Sequence, residues 1–261
     1  MLKNGYAELR GEYDARGNLT KMSCFGVDGK PILHKNGFAE LRNEYDARGN
    51  VTRESYFGID GKPILLKDGH AGWDSEFDSY GNEVFKRFLG ANGKPIMVKG
   101  HAMRRMTYDV KNRATSCIWY DADGNVLVRD KDNGVAWWKS EFDEKGRETR
   151  RKYYDIDSKP TLHKDGYAEY RKEYGASGKE TKESYYGIDG MLTLHQKYGF
   201  AEKRMEYNAC GNYTKYSCYG VDGKLIMCKA GFAEIRVEYD EDGCQIKTIK
   251  MFDDKGEEII R

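Results

Sequence analysis

Apolar and polar positions alternate with a period of two along short stretches of this chain, and the alternation restarts about every 32 residues. In the first stretch Ala7, Leu9, Gly11 and Tyr13 fall on one side and Tyr6, Glu8, Arg10 and Glu12 on the other. That pattern predicts a strand with one covered face and one wet face. Each restart is marked by Gly, usually an aromatic, and then Ala, beginning at Gly5, Gly37, Gly69, Gly100, Gly134, Gly166, Gly199 and Gly231, at spacings of 31 to 34 residues. Eight residues after each glycine stands an aromatic, without a gap: Tyr13, Tyr45, Phe77, Tyr108, Phe142, Tyr174, Tyr207 and Tyr239. A fixed period of this size signals a repeat architecture, in which a unit cannot bury enough apolar surface alone and is stable only against its neighbours.

The turns complete the repeat. Asp14-Ala15-Arg16-Gly17-Asn18 follows the first strand, and Asp46 to Asn50 and Asp78 to Asn82 restate it. The Asp side chain caps its own backbone and the Gly three residues on takes a positive φ, so each is a hairpin turn. A second turn follows twelve residues later, as in Phe25-Gly26-Val27-Asp28-Gly29-Lys30, Phe57 to Lys62 and Tyr120 to Asn125. Lys-Pro at Pro31, Pro63, Pro95 and Pro160 then opens a short third strand, at an edge where a missing N–H is tolerated. The expected fold is all-β: eight three-stranded antiparallel β-hairpin units of about 32 residues in an open, twisted or solenoid-like array. A closed eight-bladed propeller is the alternative, but its blades hold four strands and use more residues than each repeat supplies. The first repeat begins within four residues of Met1 and is close to consensus, and the last runs almost to Arg261 with no polar capping segment beyond it. A single array over 1–261, cut from a longer protein, is therefore expected.

Charge narrows the partners. Lys plus Arg number 44 and Asp plus Glu 43, so no net field draws a nucleic-acid backbone, and a nucleic-acid role is not expected. No stretch is apolar enough for membrane insertion as a helix, and the start, Met-Leu-Lys-Asn-Gly, lacks the apolar core of a signal peptide. The six cysteines show no Cys-x-x-Cys pair and read as free thiols of a reducing compartment. Taken as given, the chain reads as cytoplasmic; a fragment of an exported protein would read as extracellular. On the wet face a basic row (Arg10, Arg42, Arg105, Lys139, Arg171, Arg204, Arg236) is broken only by Asp74, and the Glu two residues on is broken only by Thr107. The two rows predict a solvated ladder of ion pairs.

Glu44-Tyr45-Asp46-Ala47-Arg48-Gly49-Asn50-Val51-Thr52 resembles the YD repeat of bacterial RHS-type proteins, and the resemblance recurs in all eight repeats. The longer period and the interposed second turn depart from it. That turn, as in Tyr56-Phe57-Gly58-Ile59-Asp60-Gly61-Lys62, is similar to the hairpins of Gram-positive cell-wall-binding and glucan-binding repeats. The resemblance implies noncatalytic β-sheet arrays that enclose a partner polypeptide or stack aromatics on polysaccharide.

Candidate chemistry mostly dissolves into the period. His34, His163 and His195 share one slot and His70 and His101 another, which marks them as structural. No catalytic triad, Cys-His pair or His-Glu-x-x-His spacing is present, so no enzyme, catalytic residue, cofactor or metal site is expected. Asp121-x-Asp123-x-Asn125 opens like a calcium loop, with Asp130 and Asp132 following, but Val126 stands where that loop needs Gly. The adjacent aromatics before the second turn point to opposite faces. With the second of each pair packed inward, Tyr56, Phe88, Trp119, Tyr153 and Tyr185 form an outward row, to which Trp137 adds a ring on the wet face. Such a row suits a protein partner or a polysaccharide; the alternative is that a second layer of the array covers it. The third to fifth repeats depart most from consensus, at His70, Trp73, His101, Met103, Arg104, Trp137 and Trp138, with an insert at Val128 to Asn133 between the fourth and fifth. A specific site is expected there.

Overall fold

The computed structural model describes residues 5–127 and 135–260, so the insert at Val128 to Asn133 and the carboxylates Asp130 and Asp132 lie outside the described residues. The chain forms two compact lobes, Met1–Leu127 and Val128–Arg261. Among the described residues every regular element is a strand. The N-terminal lobe holds β1 (Glu8–Tyr13), β2 (Leu19–Phe25), β3 (Glu40–Tyr45), β4 (Val51–Phe57), β5 (Gly72–Phe77), β6 (Glu83–Leu89), β7 (Met103–Tyr108) and β8 (Ala114–Tyr120). The C-terminal lobe holds β9 (Trp137–Phe142), β10 (Glu148–Tyr154), β11 (Glu169–Tyr174), β12 (Glu180–Tyr186), β13 (Glu202–Tyr207), β14 (Tyr213–Tyr219), β15 (Glu234–Tyr239) and β16 (Ile246–Phe252). In each lobe the strands pair antiparallel and strictly in chain order, which makes an open sheet and not blades around a ring.

The first turn is wired by its aspartate. Asp14 accepts the N–H of Arg16 at 2.8 Å, the N–H of Asn18 at 2.9 Å and the Asn18 side-chain amide at 2.9 Å, while Gly17 sits at φ +87°. Asp46 and Asp78 do the same. These bonds hold the Asp14 and Asp46 carboxyls below the usual carboxylate value, the Asn side-chain bond being the largest cause. In the fourth repeat Asn112 takes the left-handed conformation at φ 60° in place of Gly, a role open to Asn because its short polar side chain tolerates that region.

Each hairpin carries a bulge. Glu12 pairs with Lys21 but Tyr13 with Leu19, leaving Thr20 as the extra residue. Its hydroxyl donates to the Glu12 carbonyl at 3.2 Å, and Thr149 and Thr181 repeat the bond. Where the slot aromatic is tyrosine it bonds at the same place: Tyr45 donates its hydroxyl to the Leu19 carbonyl of the preceding repeat at 2.8 Å, as Tyr174 does to Glu148 and Tyr207 to Glu180, a bond that Phe77 and Phe142 cannot make. The tyrosine thus satisfies a carbonyl at the bulge and ties one repeat to the last.

The expected third strand is reduced to a single bridge, Phe25 to Pro31, repeated at Pro63, Pro95 and Pro160. Val126, Leu192, Leu225 and Glu258 make the same single bridge without a proline, so the reduction belongs to the repeat, and beyond the bridge the chain turns back over the sheet. Ile32 N–H donates to the Cys24 carbonyl, His34 N–H to Phe38, and Cys24 N–H to Ala39 at the start of the next repeat. This return segment is the second layer. It packs Phe38, Tyr56 and Cys24 into one apolar cluster in the N-terminal lobe, and Val135, Tyr153, Tyr167, Tyr185, Phe200, Cys218 and Cys228 into another in the C-terminal lobe. The recurring Ala (Ala39, Ala102, Ala136, Ala201, Ala233) is buried at the crossing.

Candidate functional site

The two faces of the sheet differ in chemistry. On the covered face the return segments and strands build columns of rings. In the N-terminal lobe Tyr6, His34, Phe38, Tyr56, His70, Phe88 and His101 follow one another at centroid distances of 5.0 to 5.8 Å. Tyr153, His163, Tyr167, Tyr185, His195, Tyr198 and Phe200 form the counterpart in the C-terminal lobe. Both histidine slots are therefore ring positions in a column. Burial holds the imidazoles of His34, His70 and His195 below the ordinary histidine value.

The outward row expected from the sequence is inverted. Tyr56, Tyr153 and Tyr185 are 7%, 8% and 4% exposed, and Phe88 and Trp119 are half-buried. The physical reason is the return segment: the slot residue's C=O accepts from it and its N–H donates to the following Ala, as at Tyr56 with Ile64 and Ala71, so the side chain lies beneath that layer. Trp137 does lie on the polar face, half-buried, with its ring stacked on Tyr154 at 4.0 Å and 11°.

The polar face carries a built node. Glu202 is buried and accepts from Ser184 at 2.8 Å, Lys182 at 3.2 Å and Arg204 at 2.6 Å. Glu234 repeats this with Ser217, Lys215 and Arg236, and Glu40 with Ser23, Lys21 and Arg42. At Glu169 two cations, Arg150 and Lys152, come from the preceding strand. Burial opposes ionisation of Glu169, Glu202 and Glu234, but these donors win and hold each carboxyl below its usual value. The node arginines also lie over rings: Arg42 over Phe57, Arg204 over Tyr219 and Arg236 over Phe252, each at 4.2 Å. The ladder differs from the expected one in its pairing: Arg42 joins the Glu two residues before it, while Glu44 meets Arg53 across the strand pair.

In the third repeat the node is deleted. Gly72 occupies the Glu slot, where a Cβ would collide with the Glu54 carbonyl oxygen, so the backbones of β4 and β5 approach too closely for any side chain. The neighbouring charges are exchanged: Asp74 stands in the Arg slot and takes a two-point bond from Arg87 at 3.1 and 2.6 Å. The missing side chain leaves a groove of about 350 Å³ in which Phe57, Pro63, Ala71 and Leu89 are the apolar lining and Arg42 and Arg53 stand among the charged lining. Gly72 lay beside the departures singled out in the sequence and was legible as the one Gly in a slot otherwise held by Glu, Met or Trp.

A second cavity, of about 470 Å³, opens on the covered face of the C-terminal lobe between Asp165, Tyr167, Glu183, Tyr185, His195, Tyr198 and Lys203. The repeat pattern alone does not lead one to expect so polar a space. Its charges are matched: Lys203 meets Glu183 at 2.7 Å and Glu180 at 3.0 Å, and Asp165 lies 3.4 Å from His163. Burial works against the Lys203 charge, yet the two glutamates hold its ammonium above the ordinary lysine value; burial raises Tyr167 and Tyr185. Asp121 spends its carboxylate on the N–H groups of Asp123 and Asn125 and on the Asn125 amide. No group of three or more His, Cys, Asp or Glu among the described residues is placed to hold a metal ion.

No family model matches the chain, and no curated protein matches it. Solved structures match over nearly its whole length. TcdB2-TccC3 gives a TM-score of 0.38 at 14% identity, covering 96% of this chain and 15% of that one. TcdB2-TccC3-Cdc42 gives 0.37 at 12%, covering 96% and 14%. The Photorhabdus luminescens Tc holotoxin pore gives 0.23 at 10%, covering 93% and 15%. The chain thus spans about 15% of the length of the chains it matches.

Proposed function

We propose that the chain is a noncatalytic repeat scaffold that binds a protein partner, and that the Gly72 groove receives an apolar side chain of that partner. The observation that supports this reading is the slot at Gly72, left without a side chain on a face where Met103 and Trp137 fill the same slot and Glu40, Glu169, Glu202 and Glu234 each satisfy their own neighbours. A satisfied node offers a partner nothing. The groove offers Phe57, Pro63 and Leu89 beside arginines already held by carboxylates, and burying one large apolar side chain there is worth about 1.5 to 3 kcal/mol.

The noncatalytic half of the proposal is supported by the repetition of the histidines: His34, His163 and His195 share one slot and His70 and His101 another, each a ring position in a column. The polysaccharide reading rested on an outward aromatic row; Tyr56, Tyr153 and Tyr185 are buried, and Phe88, Trp119 and Trp137 are half-buried, so the protein-partner reading has the stronger support.

Peptides selected from a random displayed library on the whole chain test the groove. Ala91 lines it on an exposed turn, and Val27 holds the same slot in the first repeat. Ala91→Arg is expected to weaken the selected peptides at least about tenfold, close to 1.4 kcal/mol, while Val27→Arg leaves them unchanged. Equal binding to both variants, or no enriched peptide, counts against the proposal.

A further inference from the structure

The six cysteines divide by exposure: Cys24, Cys117, Cys218 and Cys228 are buried, while Cys210 and Cys244 are exposed. The two exposed thiols stand on adjacent hairpin turns of the seventh and eighth repeats, 34 residues apart in sequence, with their sulfurs 3.8 Å from each other. We infer that Cys210 and Cys244 form an oxidisable dithiol, a modification site that a low-molecular-weight disulfide converts into a covalent link between the last two repeats.

Two independent features of the turns bring the thiols together. The first is a substitution at a linking slot. Arg16 and Arg48 reach from their own turn to the next one and donate to the carbonyls of Ala47 and Asp78 at 2.7 and 3.0 Å. Cys210 holds that slot in the seventh repeat and its thiol still reaches the next turn, donating to the Asp242 carbonyl at 3.1 Å. The second is a change of turn length. In the other seven hairpins the strand residues that flank the first turn are paired six positions apart, as Tyr13 with Leu19 and Tyr207 with Tyr213. In the eighth they are seven apart, Tyr239 with Ile246, and Asp240 N–H donates to Gln245 instead of the residue before it. The added residue accompanies the Cys at position 244, whose N–H is held by the Asp240 carboxylate at 2.8 Å. Asn208 and Asn212 fix the two turns against each other through the Gly243 carbonyl at 2.9 and 3.1 Å.

A disulfide needs its sulfurs at about 2.05 Å, so side-chain rotation on exposed turns has less than 2 Å to supply. The chemistry balances with glutathione disulfide as oxidant. One protein thiolate attacks a glutathione sulfur, the S–S bond of the oxidant breaks and one glutathione thiolate leaves. The second protein thiolate then attacks the protein sulfur of the mixed disulfide and expels the second glutathione. The two cysteines lose two electrons and two protons, and the oxidant becomes two thiols.

The test is a titration of the whole folded chain in glutathione buffers of graded oxidising strength, acid-quenched and mapped by peptide mass. The expected product is an intramolecular link between the peptides carrying Cys210 and Cys244, half-formed at a poise about tenfold more reducing than for the same chain in denaturant, because folding holds the sulfurs together. Cys210→Ser and Cys244→Ser are each expected to accumulate a glutathione adduct on the remaining thiol. Stable adducts on both thiols of the unaltered chain, links between chains, or a 210–244 link formed no more readily than in denaturant would overturn the inference.

Discussion

The two lobes run the same repeat to different ends. In the C-terminal lobe Trp137 fills the first slot and three successive repeats then place Glu169, Glu202 and Glu234 in closed nodes, so every slot on the polar face carries a side chain. In the N-terminal lobe Glu40 builds one such node, and the next two slots hold Gly72 and Met103. The difference shows how a periodic sheet acquires a site: removing one side chain from a self-satisfying row leaves a groove lined by Phe57, Pro63 and Leu89, while the hydrogen-bonded frame continues unchanged on either side. The covered faces differ in the opposite sense. Rings fill the N-terminal lobe's column, whereas in the C-terminal lobe the column runs beside a polar cavity held open around Lys203 and its glutamates.

Changes on the covered face are expected to be the largest and equal in the two lobes. Tyr56→Ala and Tyr185→Ala each remove a buried ring and should cost about 3 to 5 kcal/mol by urea denaturation, against about 1 to 2 kcal/mol for Phe57→Ala on the polar face. An inverted order would restore the outward aromatic row and erase the contrast between faces. A smaller effect separates a complete node from an exposed one. Glu202→Ala strands Lys182 and Arg204 around a buried vacancy and should cost about 2 to 3 kcal/mol, reduced from a fully buried pair because both cations reach solvent. Glu8→Ala, whose carboxylate is exposed beside Arg10, should leave the urea midpoint unmoved.

The smallest effect is in pH. His34, His70 and His195 are held neutral in the folded chain by burial. The unfolded chain binds more protons, so stability is fully present above the ordinary histidine value near 6.5 and declines as pH falls through it toward the lowered folded values. The carboxylates Glu169, Glu202 and Glu234 are also lowered, but their contribution is lost only at more acid pH. Thermal midpoints between pH 7.5 and 5.5 should therefore fall, and His70→Phe with His195→Phe should flatten the slope; a flat profile in the unaltered chain would show that burial leaves the imidazoles free to charge.

Much of the frame was legible because its determinants are local. Asp14, Gly17 and Thr20 act within a few residues of themselves, so the turns, the strands and their phase follow from the period. What failed was the decision of which face is covered. Alternation assigns Tyr56 and Phe57 to opposite sides but says nothing about where the chain after Pro63 goes, and that path is set by the packing of Ile64 and Leu66 against the Cys24, Phe38 and Tyr56 cluster, which spans two repeats. Glu202 misleads similarly: a charged residue on a nominally wet strand is buried because Ser184 and Lys182 arrive from the preceding repeat. Gly72 was visible only as a break in the Glu row, and that row emerges once the node is known.

Strict pairing in chain order also determines how each lobe bears force. Because every strand bonds only to its sequence neighbours, the first and last strands of a lobe lie at opposite ends of the hydrogen-bond ladder. Tension applied between them runs along the N–H···O=C bonds and peels the rungs apart in succession, whereas neighbouring terminal strands would share the load in shear. Each repeat that opens releases about 32 residues, roughly 100 Å of chain, so a lobe under tension lengthens stepwise and yields before stiffer neighbours do.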